Sequence, residues 1–151
     1  MKKYLVIILT FILGTTIGLA APIAQHLIDS TPAEGVLVNL DQFFKEHPAS
    51  KPVQFDTVFK SPRCIVNLAR INGPFIGRHI HTEVDEIVYV TKGKAEVYLN
   101  GKWVLMKVGD LHVCPRGVAH TTRAVDNEGF EAISIFTPPA PAAGDKAMID
   151  D

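Results

Sequence analysis

From residue 51 to residue 137, the hydrophobic pattern consists of short runs rich in Val, Ile and aromatic residues. Pro, Gly, Asn and Ser separate these runs, as they separate the strands of many all-β proteins. The predicted strands are residues 54–59, 64–71, 86–90, 95–99, 102–106, 111–114, 120–125 and 130–136. Because the runs are short, regularly spaced and not interrupted by a long helical pattern, they predict an antiparallel sandwich or barrel rather than a parallel sheet.

Turn signals predict how neighbouring strands connect. Asn100-Gly101 is the strongest two-residue hairpin signal in the chain and joins the strands on either side of it. Residues 91–94 (Thr-Lys-Gly-Lys) predict a second turn. Residues 82–85 predict the turn of a further hairpin, whose returning strand begins at Glu86.

The N-terminal residues differ from this β-rich region. Lys2 and Lys3 precede an apolar run over residues 4–20 that ends in a small-x-small pattern. This pattern predicts an export signal cleaved before Ala21, and an uncleaved membrane anchor is the alternative. The predicted location is therefore the periplasm or the extracellular space, and the protein contacts a membrane only if this segment is retained.

Four parts of the chain follow from these patterns. They are a signal or anchor (residues 1–20), a lead-in (21–50), a β-barrel (51–137) and a Pro/Ala-rich tail (138–151). The lead-in contains a short predicted helix over residues 41–47, capped by Asp41 or Asn39 and stopped by Pro48. The tail could cover a barrel edge or an adjacent subunit, so a homodimer is left open.

Charge and cysteine content limit the classes of partner. The whole chain has a formal charge of −1, and loss of residues 1–20 removes two lysines and no acidic residue, which leaves −3. This balance offers neither a basic patch for nucleic acid nor a polybasic segment for anionic lipid. A small-molecule ligand or substrate is the predicted partner. Cys64 and Cys114 are too few for a disulfide framework, and whether they pair is left open.

Candidate metal ligands occur in two separate segments. In a strand, His79 and His81 present both imidazoles to one face. Glu86 opens the next predicted strand at the head of an apolar face, where a carboxylate is out of place unless something pairs with it. Residues 109–120 then combine a short strand, a Pro-Arg-Gly turn and a further histidine, His120. An antiparallel barrel could bring that imidazole across to the first two.

At these residues the chain resembles a cupin. The first cupin motif is Gly, five residues, His-x-His, three or four residues, Glu, six residues, Gly, and the matching residues are Gly73, His79, His81, Glu86 and Gly93. The second motif is Gly, five residues, Pro-x-Gly, two residues, His, three residues, Asn, and the matching residues are Gly109, Pro115, Gly117 and His120. Its last position holds Ala124 in place of Asn.

The resemblance implies a one-domain, all-β fold, an antiparallel double-stranded β-helix or jelly-roll barrel. It also implies four metal ligands inside the barrel: His79, His81, Glu86 and His120. Three neutral imidazoles and one carboxylate suit a divalent transition metal, and Fe, Mn, Cu, Zn and Ni all serve such sites in the family. A five- or six-coordinate ion would keep one or two positions open for water, dioxygen or a chelating substrate.

Two classes of function agree with these residues. The first is an exported metal-dependent enzyme that acts on a small oxygen-rich molecule, as a dioxygenase-like oxidoreductase or as an isomerase or decarboxylase. Glu86 is its candidate catalytic residue, either as a permanent ligand or as a base that detaches. The second is a non-catalytic protein that binds or senses a metal or small ligand. The fold hosts many activities, so the residues do not choose between these classes.

Other side chains are candidates by type alone. His112 shares a strand face with Cys114 and could support the metal site, although a packed or solvent-facing position is favoured. Cys114 itself is a minor alternative metal ligand. Four arginines could bind an anionic substrate near the barrel mouth, although each is typical of a surface charge: Arg70, Arg78, Arg116 and Arg123. The central aromatic residues predict cross-strand packing first and a pocket wall second: Tyr89, Tyr98 and Trp103.

Overall fold

The computed structural model describes residues 35–73, 76–141 and 144–149. The predicted export segment lies outside these residues. Within them the elements are α1 (Leu40–Glu46), β1 (Val53–Lys60), β2 (Ile65–Ile71), β3 (His79–His81), β4 (Asp85–Leu99), β5 (Lys102–Lys107), β6 (Leu111–Cys114), β7 (His120–Ala124), β8 (Phe130–Thr137) and β9 (Lys146–Met148). No helix in the described part of the chain is long and apolar enough to cross a membrane.

The strands form a curled antiparallel sheet in which β4 belongs to two halves. One half has the order β1, β2, β8, β4, β6, and the other has the order β5, β4, β7, β3, β9. The first residues of β4 pair with β6 and β8, and its last residues pair with β5 and β7. This architecture confirms the predicted all-β, antiparallel fold class.

β4 is one continuous strand, so the predicted turn over residues 91–94 is wrong. The register with β8 shifts between Val90 and Lys92, which introduces an irregularity where a turn was expected. Gly93 has a φ of 75°, and a Cβ placed on it would collide with the carbonyl oxygen of Gly129. The glycine therefore allows the strand to pass from one half of the sheet to the other without a break.

The connection from β3 to β4 is also not a hairpin. β3 pairs with β7 and β9, whereas the start of β4 pairs with β6 and β8. Val84, in the connection, is fully buried. The connection thus carries the chain from one half of the sheet to the other, and it places Glu86 close to the histidines.

Two local predictions are confirmed. Asn100 and Gly101 both have positive φ angles, 52° and 82°, and they close the tight turn between β4 and β5. Helix α1 begins after Asn39, whose side-chain oxygen accepts a hydrogen bond of 2.9 Å from the backbone N–H of Gln42. The helix ends at Glu46. His47 follows it as the capping residue and precedes Pro48, and a proline disfavours helical backbone at the residue before it.

The hydrophobic core lies on the inner faces of β2, β4, β5 and β8. Its members are Ala69, Ile71, Val88, Val90, Ala95, Val97, Met106, Phe130 and Ala132. Ala124, the departure from the second cupin motif, lies opposite Ala95 on β4 and packs against this core. Ala124 therefore occupies a small-residue packing position between β7 and β4.

The tail contributes the last strand. Lys146–Met148 forms β9 and pairs with β3 of the same chain, with Lys146 opposite His81 and Met148 opposite His79. The sequence left open which surface the tail covers, and the structure shows these residues on the β3 edge. The two cysteines are free thiols: Cys64 is half-buried and Cys114 is buried.

Candidate metal centre

Three histidines converge because two antiparallel strands lie side by side. His79 and His81 flank Ile80 on β3, and both are buried. On the neighbouring strand β7, His120 is the register partner of His79. The ring centroids of His79 and His120 are 4.4 Å apart, and that of His81 lies 5.2 Å and 5.3 Å from them. The alternation predicted for β3 therefore places both of its imidazoles beside the third.

Glu86 completes the cluster from the opposite half of the sheet. Its Oε2 atom lies 2.9 Å from Nε2 of His120 and 3.6 Å from Nε2 of His81. One potential ligand atom from each of the four side chains lies within 4.8 Å of all the others. The structure thus brings together all four residues that the sequence singled out as metal ligands.

Each of the three imidazoles is held through its Nδ1 atom. His79 Nδ1 lies 2.9 Å from the carbonyl oxygen of Gly77, and His120 Nδ1 lies 3.0 Å from that of Val118. His81 Nδ1 lies 2.9 Å from a carboxylate oxygen of Asp145. With Nδ1 protonated and donating to these oxygens, each Nε2 lone pair is left for a metal ion.

The carboxylate of Glu86 is oriented in the same manner. Ser134 Oγ donates a 3.0 Å hydrogen bond to Oε1 of Glu86, which leaves Oε2 directed at the histidines. Ser134 and Glu86 are both buried, with exposed fractions of 1% and 8%. A divalent ion would give the buried negative charge a counterion, so the donor set fits the transition metal that the sequence predicted.

The surroundings of the four side chains shift their pKa values in different directions. Burial lowers the pKa of His79 to about 4, so this imidazole is neutral at pH 7 and ready to act as a ligand. Burial also opposes ionisation of Glu86, yet hydrogen bonds from His120, His81 and Ser134 outweigh it and lower the carboxyl pKa. Burial likewise disfavours protonated His81 and His120, but their acidic and hydrogen-bonding neighbours raise both pKa values. A proton on either of these two imidazoles is therefore favoured by the same carboxylates that would balance the charge of an ion.

Asp145 and Ser134 are site residues that the sequence did not reveal. The side chain of Asp145 is almost fully buried and bonds His81 from the residue just before β9. It lies in a Pro/Ala-rich segment without periodicity, so no pattern marked it as an interior residue. Ser134 has an ordinary inward position on β8, and only the register with β4, which places it opposite Val88, brings it near Glu86.

Cys114 and His112 lie behind the cluster. Cys114 Sγ is 2.9 Å from Nδ1 of His120, whereas Nε2 of the same ring faces Glu86. The thiol therefore contacts a candidate ligand and does not belong to the four-atom cluster. His112 is buried, its ring centroid is 6.1 Å from that of His120, and neither of its nitrogens has a hydrogen-bond partner among the described residues. Its packed position agrees with the favoured interpretation.

The arginines form contacts away from the cluster. Arg70 pairs with Asp56 at 2.6 Å, Arg116 approaches Asp85 at 3.6 Å and Arg123 pairs with Glu96 at 2.6 Å. Arg78 donates to Tyr98 Oη at 3.3 Å. Tyr98 in turn packs edge-on against its cross-strand partner Trp103. Among the described residues around the cluster's cavity, none of these four arginines lines the wall.

A cavity of about 300 Å³ opens directly onto the four ligands. All four line its wall, together with Ser134 and Asp145. An ion held by these side chains would thus face a compartment large enough for a small molecule.

The sequence of the chain is similar to a known protein family. Residues 71–136 match the model of the Cupin domain family, Cupin_2, and this span contains all four candidate ligands. The fold is a cupin fold. A curated relative, an uncharacterized protein of Aquifex aeolicus, is 38% identical over 60 residues. That alignment covers 40% of this chain and 49% of the relative, so the chain matches about half the length of that protein.

Solved structures share the cupin fold. An uncharacterized conserved protein with a double-stranded β-helix domain from Klebsiella pneumoniae has a TM-score of 0.63 at 22% identity, covering 78% of this chain and all of that chain. KdgF from Halomonas sp. has a TM-score of 0.59 at 24% identity, covering 70% and 94%. A cupin-2 domain containing protein from Shewanella frigidimarina has a TM-score of 0.57 at 18% identity, covering 66% and 92%. At these identities the likeness establishes the fold alone.

Proposed function

We propose that this cupin is a metal-dependent enzyme that holds one divalent transition metal with His79, His81, Glu86 and His120. The observation that carries the proposal is the position of these side chains. One potential ligand atom from each lies within 4.8 Å of all the others, and all four side chains line a cavity of about 300 Å³ rather than a closed shell. A structural ion is normally enclosed by its protein ligands, whereas an ion that faces a cavity can take a further ligand from it.

The residues around such an ion would have separate roles. A bound ion would supply Lewis-acid or redox chemistry at its remaining coordination positions. The three Nδ1 anchors hold the imidazoles in one tautomer and orientation, and Ser134 holds Glu86. The lowered pKa of Glu86 keeps it a carboxylate at neutral pH and makes it a weak base, so it is suited to remain a ligand of the ion and unsuited to donate a proton.

An open coordination position on the ion limits which classes of reaction the site can support. We infer a dioxygenase-like oxidoreductase first, and an isomerase or decarboxylase at the same ion as the other catalytic outcomes, because each needs an ion with an open coordination position. A non-catalytic metal- or ligand-binding protein is the second candidate. It is favoured by one observation: among the described cavity-lining residues, the only carboxylates are Glu86 and Asp145, and both already bond histidines.

The first experiment measures the metal content of the protein purified from its native compartment. We expect about one transition-metal ion per chain, and we expect the His79→Ala, His81→Ala double variant to carry none. His47→Ala is the matched control, because His47 is exposed and its ring stacks on Phe43 at the end of α1. Equal metal content in all three proteins, or none in the wild type, would refute the metal site.

Export is a separate part of the proposal. It rests on residues 4–20, the apolar run that follows two lysines. Fractionation of cells that express the whole chain, followed by N-terminal sequencing, should find a product that begins at Ala21 outside the cytoplasm. An intact chain in the membrane fraction would favour the anchor, and an intact chain in the cytoplasm would contradict export.

A further inference from the structure

The walls of the cavity beside the metal centre are mainly apolar. Aliphatic and aromatic side chains from several strands and from the segment before β3 line it, including Phe55, Ile71, Ile76, Val88, Phe130 and Phe136. A ligand with many hydroxyl groups would lose its hydration against these walls without gaining hydrogen bonds. The body of a well-fitting ligand is therefore apolar.

Few polar side chains in the described wall remain available to a ligand. Ser134 already donates to Glu86, and Asp145 already bonds His81. Thr122 is the other neutral hydroxyl among the lining residues that the structure describes. Orientation of a ligand must therefore depend on the ion and on one remaining charged group, Lys146.

Lys146 reaches the cavity because of its register. It is the antiparallel partner of His81, and directly opposed residues project to the same face of a sheet. Its side chain thus lies beside the metal centre, and it lines the cavity. No carboxylate of the described chain lies within ion-pair distance of its ammonium group.

The charges around the cavity leave room for one anion. A divalent ion and Lys146 supply three positive charges, and Glu86 and Asp145 supply two negative ones. The histidines are neutral when they bind a metal. One carboxylate on a ligand would neutralise the remaining positive charge.

We propose that the cavity takes a small carboxylate with an apolar, ring-sized body, whose carboxylate lies between the metal position and Lys146. This inference rests on the proposed metal-dependent function, and it replaces the small oxygen-rich substrate expected from the sequence with one that has few oxygens, concentrated at one end. A cavity of about 300 Å³ is at the lower end of the range for small-molecule sites, which suits a single ring with one substituent.

The test uses three probes with the Zn²⁺-loaded protein in isothermal titration calorimetry. Benzoate has both the apolar body and the charge, benzyl alcohol has only the body, and gluconate has the charge on a polyhydroxylated chain. We expect benzoate to bind about tenfold more tightly than either of the other two, because only benzoate satisfies both ends of the cavity.

A pair of lysine variants tests the charged end. Lys146→Gln should weaken benzoate binding about five- to tenfold, the size of one charge-assisted contact, while benzyl alcohol binding stays the same. Lys94→Gln is the matched control, because Lys94 is an exposed lysine on β4 and does not line the cavity. Lys146 is itself exposed, so its substitution should leave the fold intact, which circular dichroism checks.

The outcomes separate this inference from the proposed function. If Zn²⁺ binds in one equivalent but benzoate binds no better than benzyl alcohol and gluconate, the ligand class is wrong and the metal site stands. Benzoate binding that is unchanged in Lys146→Gln would likewise overturn the role of Lys146. If the protein takes up no metal, the proposed function fails, whichever probe binds. In that case, benzoate binding that still depends on Lys146 would support the ligand class alone.

Discussion

At the scale of single residues, the candidate metal centre depends on neighbouring groups that orient its four side chains. Each histidine uses Nδ1 for a fixed oxygen, and Glu86 uses Oε1 for Ser134. Two of the histidine anchors are backbone carbonyls, which no substitution removes. Asp145 is the one histidine anchor supplied by a carboxylate, and the second oxygen of that carboxylate, Oδ2, is buried without a hydrogen-bond partner in the described structure.

Substitution of Asp145 should therefore weaken metal binding. Asp145→Ala removes the acceptor for His81 Nδ1, and we expect a loss of about 10- to 100-fold in Zn²⁺ affinity, measured by competition with a fluorescent chelator. Asp145→Asn can keep the acceptor without its charge, so its loss should be smaller. Asp41→Asn on α1 is the control for an exposed acid. Equal affinity in Asp145→Ala and wild type would exclude the anchoring role.

Metal affinity should also fall as the pH is lowered. The pKa values of His81 and His120 are raised in the metal-free protein, so each imidazole binds a proton more readily than a free histidine does. A metal must displace these protons, and the apparent affinity should fall by about tenfold per pH unit for each proton displaced. Zn²⁺ titrations at pH 6, 7 and 8 measure this slope. A constant affinity over that range would mean that these imidazoles are not ligands.

At the scale of elements, one continuous strand connects the two halves of the barrel. β4 places Glu86 in one half, and its other end pairs with β7, the strand that begins at His120. Gly93 lies between these two regions, where the backbone has a positive φ and the chain passes close to Gly129. Gly93 therefore lets one strand carry Glu86 in one half of the sheet and pair with the strand of His120 in the other.

Gly93→Ala should destabilise the protein more than Gly101→Ala. Both positions have positive φ, 75° and 82°, so an alanine costs about 1–2 kcal/mol of unfolding free energy at either one. A Cβ at residue 93 also collides with the backbone at Gly129, whereas no atom lies within 4 Å of a Cβ at residue 101. We expect an additional loss of at least about 1 kcal/mol at Gly93, measured by urea unfolding. Equal losses at the two positions would contradict the close approach.

The sequence predicted where the strands lie more accurately than which strands pair with each other. Alternation along a strand reports which face a side chain occupies, so His79 and His81 were assigned correctly to one face. It does not report which strand lies alongside, and the expected hairpin from β3 to β4 is instead a crossing between the two halves of the sheet. Asp145 was missed for a related reason: β9 pairs over only three residues, too few to show a period.

At the scale of the whole molecule, the candidate ion would join parts of the chain that are distant in sequence. Its ligands come from β3, β4 and β7, and the anchor of His81 comes from the residue before β9. A bound ion would consequently cross-link both halves of the barrel and the C-terminal segment. Stability of the folded chain should therefore respond to metal.

Thermal unfolding with and without metal measures this coupling. At a Zn²⁺ concentration about 1,000 times the dissociation constant, the folded state should gain about 4 kcal/mol, provided that the unfolded chain does not bind the ion. This gain should raise the midpoint on the order of 10 °C. The His79→Ala, His81→Ala double variant should show no shift. A similar shift in both proteins would mean that the ion binds elsewhere.

The most direct measurement is anomalous diffraction from crystals of the metal-loaded protein, recorded on both sides of the absorption edge of the metal. We expect one anomalous peak within about 2.0–2.2 Å of Nε2 of His79, His81 and His120 and of Oε2 of Glu86, with at least one coordination position directed into the cavity. A peak at any other place, or a peak closed off from the cavity by protein ligands, would contradict this expectation.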